Sequence, residues 1–268
     1  MHPVLFKIGP LEIHAYGLML ALSFLLGIYL AMRRGDKRGI DRNIIMDLSL
    51  FVVIAAIFGS RFLYVITHVE EFRGRWLDSV NPIQSTGQIG IAGLSMLGGV
   101  VLALLVIIIF CWIKKVSLIK LGDIMAPSFA LGIFLTRIGC FLNGCCFGKA
   151  CSLPWAVHFP PLSPAGIVQH GQAIHPTQIY SSLYGLLILA ILLFVERKRA
   201  FDGSTMALFF ILYGLARFLI DFVRYYEESV VFPFLGMIFT INQAISFLMI
   251  LVGLGLFIGL SRRARKKS

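Results

Sequence analysis

Four arginines and one aspartate carry the chemistry this chain offers most openly. Arg217, Asp221 and Arg224 are spaced i, i+4, i+7, which predicts that they share one helix face. Arg137 and Arg61 lie in two other apolar stretches. An ionised side chain in a bilayer centre costs roughly 2.5–3.5 kcal/mol on insertion scales, so charges on three apolar segments need a counter-charge. One Asp does not neutralise four Arg. Guanidinium forks match phosphate oxygens, and the set predicts a bound phospholipid headgroup. A single such Arg has an ordinary reading, snorkelling to the headgroups; the Arg217–Asp221–Arg224 set alone also reads as a structural ion network.

Polar residues collect at matching segment ends. His14, Tyr16 and Gly17 open the first apolar stretch, and Ser95, Gly98 and Gly99 open the third. Asn143 closes the fourth, with Gly139 just before it and Gly148 just after. His175, Pro176, Gln178 and Tyr180 open the fifth. The paired glycines also serve a plainer purpose, close helix packing. Together these residues predict a polar cavity.

The elements that must position them are membrane spans. Of the 268 residues, 58% are hydrophobic and 14% are charged, against about 25% charged in soluble domains. That excludes a disordered chain, a disulfide scaffold and an ordinary soluble enzyme. A crossing helix needs about 20 apolar residues. Seven stretches qualify, near 15–32, 44–67, 94–113, 124–142, 177–194, 204–222 and 237–260, and they predict an all-α membrane protein of one integral-membrane domain over 1–268.

Sixteen of the 24 Lys and Arg fall after the first, third, fifth and seventh stretches. By the positive-inside rule the N-terminus is outside and the C-terminus cytoplasmic. The formal net charge of +11 is then a topology signal and a match to anionic lipid; no nucleic-acid partner is expected. The first span reads as uncleaved, because its basic cluster follows it. Long outer loops are expected over 67–93 and 143–175. Trp155, Val157 and Phe159 alternate, which suggests a short strand or hairpin.

Four of the five cysteines (Cys140, Cys145, Cys146 and Cys151) fall within twelve residues. Disulfides pinning the outer loop, free buried thiols and a zinc site are the readings; the adjacency of Cys145 and Cys146 does not match a zinc-ribbon pair.

The same residues carry a resemblance. The chain resembles the bacterial phosphatidylglycerol–prolipoprotein diacylglyceryl transferase family nearly end to end. It does so through His14-Ala-Tyr16-Gly17, Gly59-Ser-Arg61, Gly93-Leu-Ser95-Met-Leu97-Gly98-Gly99, and Asp123 with Pro127. It continues through Arg137-Ile-Gly139-Cys140-Phe-Leu-Asn143-Gly144 with Gly148, His175-Pro-Thr-Gln178-Ile-Tyr180, Ala216-Arg217 through Asp221 to Arg224, and Asn242-Gln243-Ala-Ile-Ser246. The resemblance implies a seven-helix bundle of the bacterial plasma (inner) membrane, with a long extracytoplasmic loop between spans 4 and 5. It implies transfer of the diacylglyceryl group of phosphatidylglycerol to the lipobox cysteine of a preprolipoprotein signal peptide, with release of glycerol phosphate.

Arg137 and Arg217 would then be the essential arginines, with Tyr16 and His175 as catalytic partners. Arg61, Ser95, Gly98, Gly99, Gly139, Asn143, Gly148, Gln178, Tyr180, Asp221 and Arg224 would bind substrate. Four positions depart from the family pattern: Leu97 stands for a His, Thr136 for a Gly, Cys140 for an Asn and Cys145 for a Glu. If a proton acceptor is required, His175, His14 and Tyr16 are the candidates. The chemistry needs no metal and no cofactor. A transporter of anionic lipid or solute, or a non-catalytic lipid-binding relative, would present a similar cavity; the first should show internal repeats and a midplane site, and none is visible in the sequence.

Overall fold

The computed structural model describes residues 4–8, 11–73, 76, 93, 95–197, 201–226, 231–234 and 237–266. Its long elements are helices: α1 (Ala15–Lys37), α2 (Arg42–Thr67), α3 (Met96–Lys114), α4 (Leu118–Asn143), the short α5 (Pro164–Val168), α6 (Thr177–Glu196), α7 (Ser204–Ile220) and α8 (Ile241–Arg265). Six of them are long and apolar enough to cross a membrane: α1, α2, α3, α4, α6 and α8. The chain is a multi-pass membrane protein. The stretch expected as the sixth span, residues 204–222, forms the shorter apolar helix α7 of 17 residues, which is not among those six.

Two antiparallel hairpins accompany the helices: β1 (Val4–Ile8) with β2 (Leu11–His14), and β3 (Val231–Phe234) with β4 (Met237–Thr240). The second corrects the reading of residues 237–260 as one span. Met237–Thr240 is a strand, and α8 starts after it. Thr240 sets that start with a capping box, its hydroxyl accepting from Gln243 N while Gln243 Oε1 accepts from Thr240 N. No strand forms over 155–159. Val157 and Ala150 instead make isolated bridges to Ile174. Most of the expected 67–93 loop lies outside the described residues.

The chain divides into two compact units, Gly35–Leu118 and the remainder (Met1–Arg34 with Ile119–Ser268). In the first, α2 and α3 pack through glycines. A Cβ on Gly59 would lie 2.4 Å from the Gly98 carbonyl oxygen, and one on Gly98 would lie 2.2 Å from that of Gly59. Small residues let two apolar helices approach backbone to backbone.

In the second unit, Ala126 and Ala130 of α4, Ile188, Leu189 and Leu192 of α6, and Phe209 of α7 form a buried core. A polar lock ties its ends together. Pro127 sits inside α4 and has no N–H for the Asp123 carbonyl one turn back. Buried Arg34 of α1 takes up that carbonyl through Nη2 (2.8 Å), reaches Ile124 O through Nε (3.0 Å), and pairs with Glu196 of α6. The buried Asp123 carboxylate accepts from Gly203 N (2.8 Å) and Met206 N (2.9 Å). It therefore caps α7 from another helix, where the N–H groups are otherwise unsatisfied.

Candidate active site

Arg217 projects from the last turn of α7 and is buried, as is Asp221 just past the helix end. The two form an ion pair. Tyr226 bridges them: Arg217 Nη2 donates to its hydroxyl (2.5 Å), and that hydroxyl donates to Asp221 Oδ1 (2.8 Å). Burial holds the Tyr226 hydroxyl above its ordinary value, against the pull of Arg224 and Arg217, so it stays a donor. Thr240 Oγ1 donates to the other oxygen, Asp221 Oδ2 (2.8 Å). The Asp221 carboxylate is thus saturated by partners within the protein.

Arg224 departs from the expected shared helix face. The α7 helix ends at Ile220, and Arg224 lies beyond it in an antiparallel bridge to Gly148. Lys149 N donates to Val223 O (2.9 Å) and Tyr225 N to Phe147 O (3.2 Å), so the segment after α7 pairs with the loop after α4. The guanidinium of Arg224 lies 5.1 Å from the Tyr226 ring centroid, and its buried Nε has no hydrogen-bond partner among the described residues.

Arg137, near the end of α4, completes the group. It lies within charge-interaction range of Cys146, Cys140, Tyr184 of α6 and Tyr213 of α7. Arg217 shares the Tyr213 contact, Tyr184 senses both arginines, and Cys146 senses both Arg224 and Arg137. Arg137 and Arg217 thus share Tyr184 and Tyr213 as electrostatic neighbours, and Arg137 and Arg224 share Cys146. Among the described residues no carboxylate lies within ion-pair distance of Arg137 or Arg224, while Arg217 has Asp221.

The loop from α4 to α6 is held rigidly against this centre. Gln178 Nε2 donates to Cys145 O (2.8 Å) and Thr177 Oγ1 to Cys146 O (2.9 Å). His175 N donates to Lys149 O (3.0 Å). A Cβ on Gly148 would lie 2.5 Å from His175 O and 2.6 Å from His175 Cβ, so only glycine fits between the Arg224 strand and the His175 turn. Buried Gln178 Oε1 and His175 Nδ1 have no partner among the described residues; unpaired buried polar atoms mark places where a ligand or water belongs. Tyr180 accepts from Trp155 Nε1 (2.6 Å), and its ring packs edge-on to His175 at 6.2 Å.

Tyr16 begins α1 and lies within charge-interaction range of Arg137 and of Cys140, Cys145 and Cys146. Gly139 allows this approach, since a Cβ there would meet Tyr16 Cα at 3.2 Å. Asn143 is the last residue of α4, two before Cys145, whose Sγ donates to Cys140 O (3.7 Å). All five cysteines are free thiols, which matches the second of the three readings and not the disulfides. Hydrogen bonds with Cys140 and Cys145, helped by Arg224 and Arg137, hold the Cys146 thiol below its ordinary range.

The remaining expected residues belong to the Gly35–Leu118 unit. Arg61 Nη1 donates to Gly93 O (3.2 Å), with the guanidinium 5.2 Å from the Phe72 ring centroid. Ser95 N donates to Ser60 O (3.0 Å). Gly98 and Gly99 are packing residues at the α2–α3 contact. Tyr184, Tyr213, Tyr226 and Thr240 were not among the expected site residues. Tyr213 was accessible to spacing, being one turn before Arg217; the others come from elements whose approach no local pattern encodes.

Apolar helices around a centre with surplus positive charge define a membrane protein whose buried site suits an anion. Residues 3–259 match the family model for prolipoprotein diacylglyceryl transferase, and the chain belongs to that family of transferases. Similar proteins include the phosphatidylglycerol–prolipoprotein diacylglyceryl transferase of Clostridium tetani, 34% identical over 84% of this chain and 86% of that protein. That of Bordetella avium is 34% identical over 99% and 97%. The first such enzyme of Clostridium perfringens is 30% identical over 100% and 97%.

Proposed function

We propose that this protein transfers the diacylglyceryl group of phosphatidylglycerol to the lipobox cysteine of a preprolipoprotein, the first step of bacterial lipoprotein maturation. It acts as a single inner-membrane domain of seven spans, with α7 as the short sixth, the N-terminus outside and the C-terminus cytoplasmic. The observation that supports the reading is the charge balance: Arg217 is paired with Asp221, while Arg137 and Arg224, both electrostatic neighbours of Cys146, have no carboxylate within ion-pair distance among the described residues.

In the reaction the substrate thiolate attacks the glycerol carbon that bears the phosphate ester. A C–S bond forms, the C–O bond breaks, and glycerol phosphate leaves with the electron pair. The leaving group goes from a monoanionic diester to a dianionic monoester. Guanidiniums aimed at its oxygens bind that state more tightly than the diester, which lowers the barrier. Arg137 and Arg224, without carboxylate partners, are the charges available to the phosphate. Arg217, fixed by Asp221 and Tyr226, orients the floor of the site. The cationic centre also favours the thiolate of the incoming peptide.

This electrostatic route operates with Leu97 where the family pattern has His. The thiol proton passes to a base; His175 is our first assignment because its buried Nδ1 has no partner among the described residues, and Tyr16 is the second. Purified protein incubated with phosphatidylglycerol and a lipobox peptide should yield the thioether-linked diacylglyceryl peptide by mass spectrometry, together with glycerol phosphate. Absence of both products, with vectorial lipid movement in vesicles, would replace the transferase by a transporter.

A further inference from the structure

The end of α4 is a thiol cage. Gly144 (φ +76°) turns the chain left-handed after Asn143. Cys145 N then donates to Cys140 O (3.1 Å) and Gly144 N to Phe141 O (3.2 Å). This is the Schellman pattern, in which the residue past the cap packs on the residue five before it, normally as a hydrophobic contact. Here both members of that contact are cysteines, Cys145 and Cys140. Cys146, also left-handed at φ +59°, adds a third. The three sulfur atoms lie within 4.8 Å of one another.

We propose that Cys140, Cys145 and Cys146 form a three-thiolate site for a soft monovalent metal ion of the Cu(I) type. Three thiolates around an ion at about 2.3 Å place their sulfurs about 4 Å apart, so the observed cage needs to contract by less than an ångström. The metal-ligand cluster has three donors among the described residues, which suits trigonal coordination and not the four ligands of structural zinc. Thiolate softness selects Cu(I) over harder ions. The loop is already fixed, since Gln178 and Thr177 hold the Cys145 and Cys146 carbonyls, and little ordering remains for the ion to impose. Charge agrees as well: a Cu(I) tris-thiolate carries two negative charges, and Arg224 and Arg137 are electrostatic neighbours of Cys146. Binding is a ligand exchange without redox change: the three sulfurs displace acetonitrile from Cu(I), the thiols that are still protonated give their protons to solvent, and three S–Cu bonds form.

The test uses the full-length protein, purified in detergent under anaerobic, reducing conditions and titrated with Cu(I) supplied as its acetonitrile complex against a chromogenic Cu(I) chelator. The expected result is one tightly held equivalent per chain and an ultraviolet thiolate-to-copper charge-transfer band. Cys140→Ser, Cys145→Ser and Cys146→Ser should each lower affinity more than about 100-fold, beyond the 10–100-fold that loss of an outer-shell partner costs. Cys111→Ser and Cys151→Ser should leave it unchanged. X-ray absorption on the loaded wild-type protein should return three sulfur neighbours, a readout that does not depend on the variants folding. Failure to retain copper, a nitrogen or oxygen coordination shell, or a disulfide among these three cysteines in protein taken from native membranes would overturn the proposal. The site stands or falls independently of the transferase reading.

Discussion

Asp221 neutralises Arg217 at the end of α7, and the pair is closed by the Tyr226 hydroxyl, which accepts from one and donates to the other. Arg137 and Arg224 are thereby left as the charges that a phosphate can meet. Asp221→Asn should expose how much depends on this pairing. Removing one partner of a buried ion pair costs about 3–5 kcal/mol, because the other charge stays buried. The expected outcome is a lower melting temperature in detergent and reduced transfer; an unchanged melting temperature would show that Arg217 finds another counter-charge.

Gly148→Ala tests the joint between the Arg224 segment and the His175 turn. The added Cβ meets the His175 carbonyl oxygen, His175 Cβ and Thr177 Cγ2, none of them the far end of a flexible side chain, so the Gly148 bridge or the His175 turn must move. A displacement of about 1 Å in a positioning element lowers turnover about 100-fold. Transfer to a lipobox peptide should fall by that order while the protein still inserts and elutes as a folded species. Wild-type turnover would show that the bridge is not used to position Arg224.

Pro127 and Arg34 should behave as a coupled pair. The Arg34→Met variant removes the side-chain donor to the Asp123 and Ile124 carbonyls and one ion-pair partner of Glu196, and it should destabilise the protein. In a Pro127→Ala background the Asp123 carbonyl gains a helical N–H, so the same Arg34 change should cost about 1 kcal/mol less. A double-mutant cycle of unfolding free energies reads this directly; strict additivity would mean the two residues act separately.

Sequence legibility followed the physics of each signal. Long apolar runs and the placement of Lys and Arg located the helices to within several residues, because hydrocarbon thickness sets helix length. The boundary at Thr240 was missed although the Thr240–Gln243 capping pair is visible, since an apolar run alone does not separate strand from helix. Arg137, Arg217 and Asp221 stand out as charges in apolar segments; Arg217 and Asp221 pair, and Arg137 shares the electrostatic neighbours Tyr184 and Tyr213 with Arg217. Arg224 was misplaced by extrapolating the 3.6-residue period past the end of α7. Tyr184 and Tyr226 reach the centre through helix packing and a returning loop, which leave no periodic trace. The cysteine cluster was evident by number, but its convergence depends on the left-handed turn at Gly144.

The most direct measurement is single-turnover transfer by Arg137→Ala protein, following thioether peptide and released glycerol phosphate together. Arg137 has no carboxylate partner among the described residues, so its loss should leave insertion and melting near wild type. Loss of one preorganised charge-stabilising group costs about 100- to 1,000-fold in rate, and both products should fall by that factor in step. A rate equal to wild type would contradict the central claim that these arginines hold the departing phosphate.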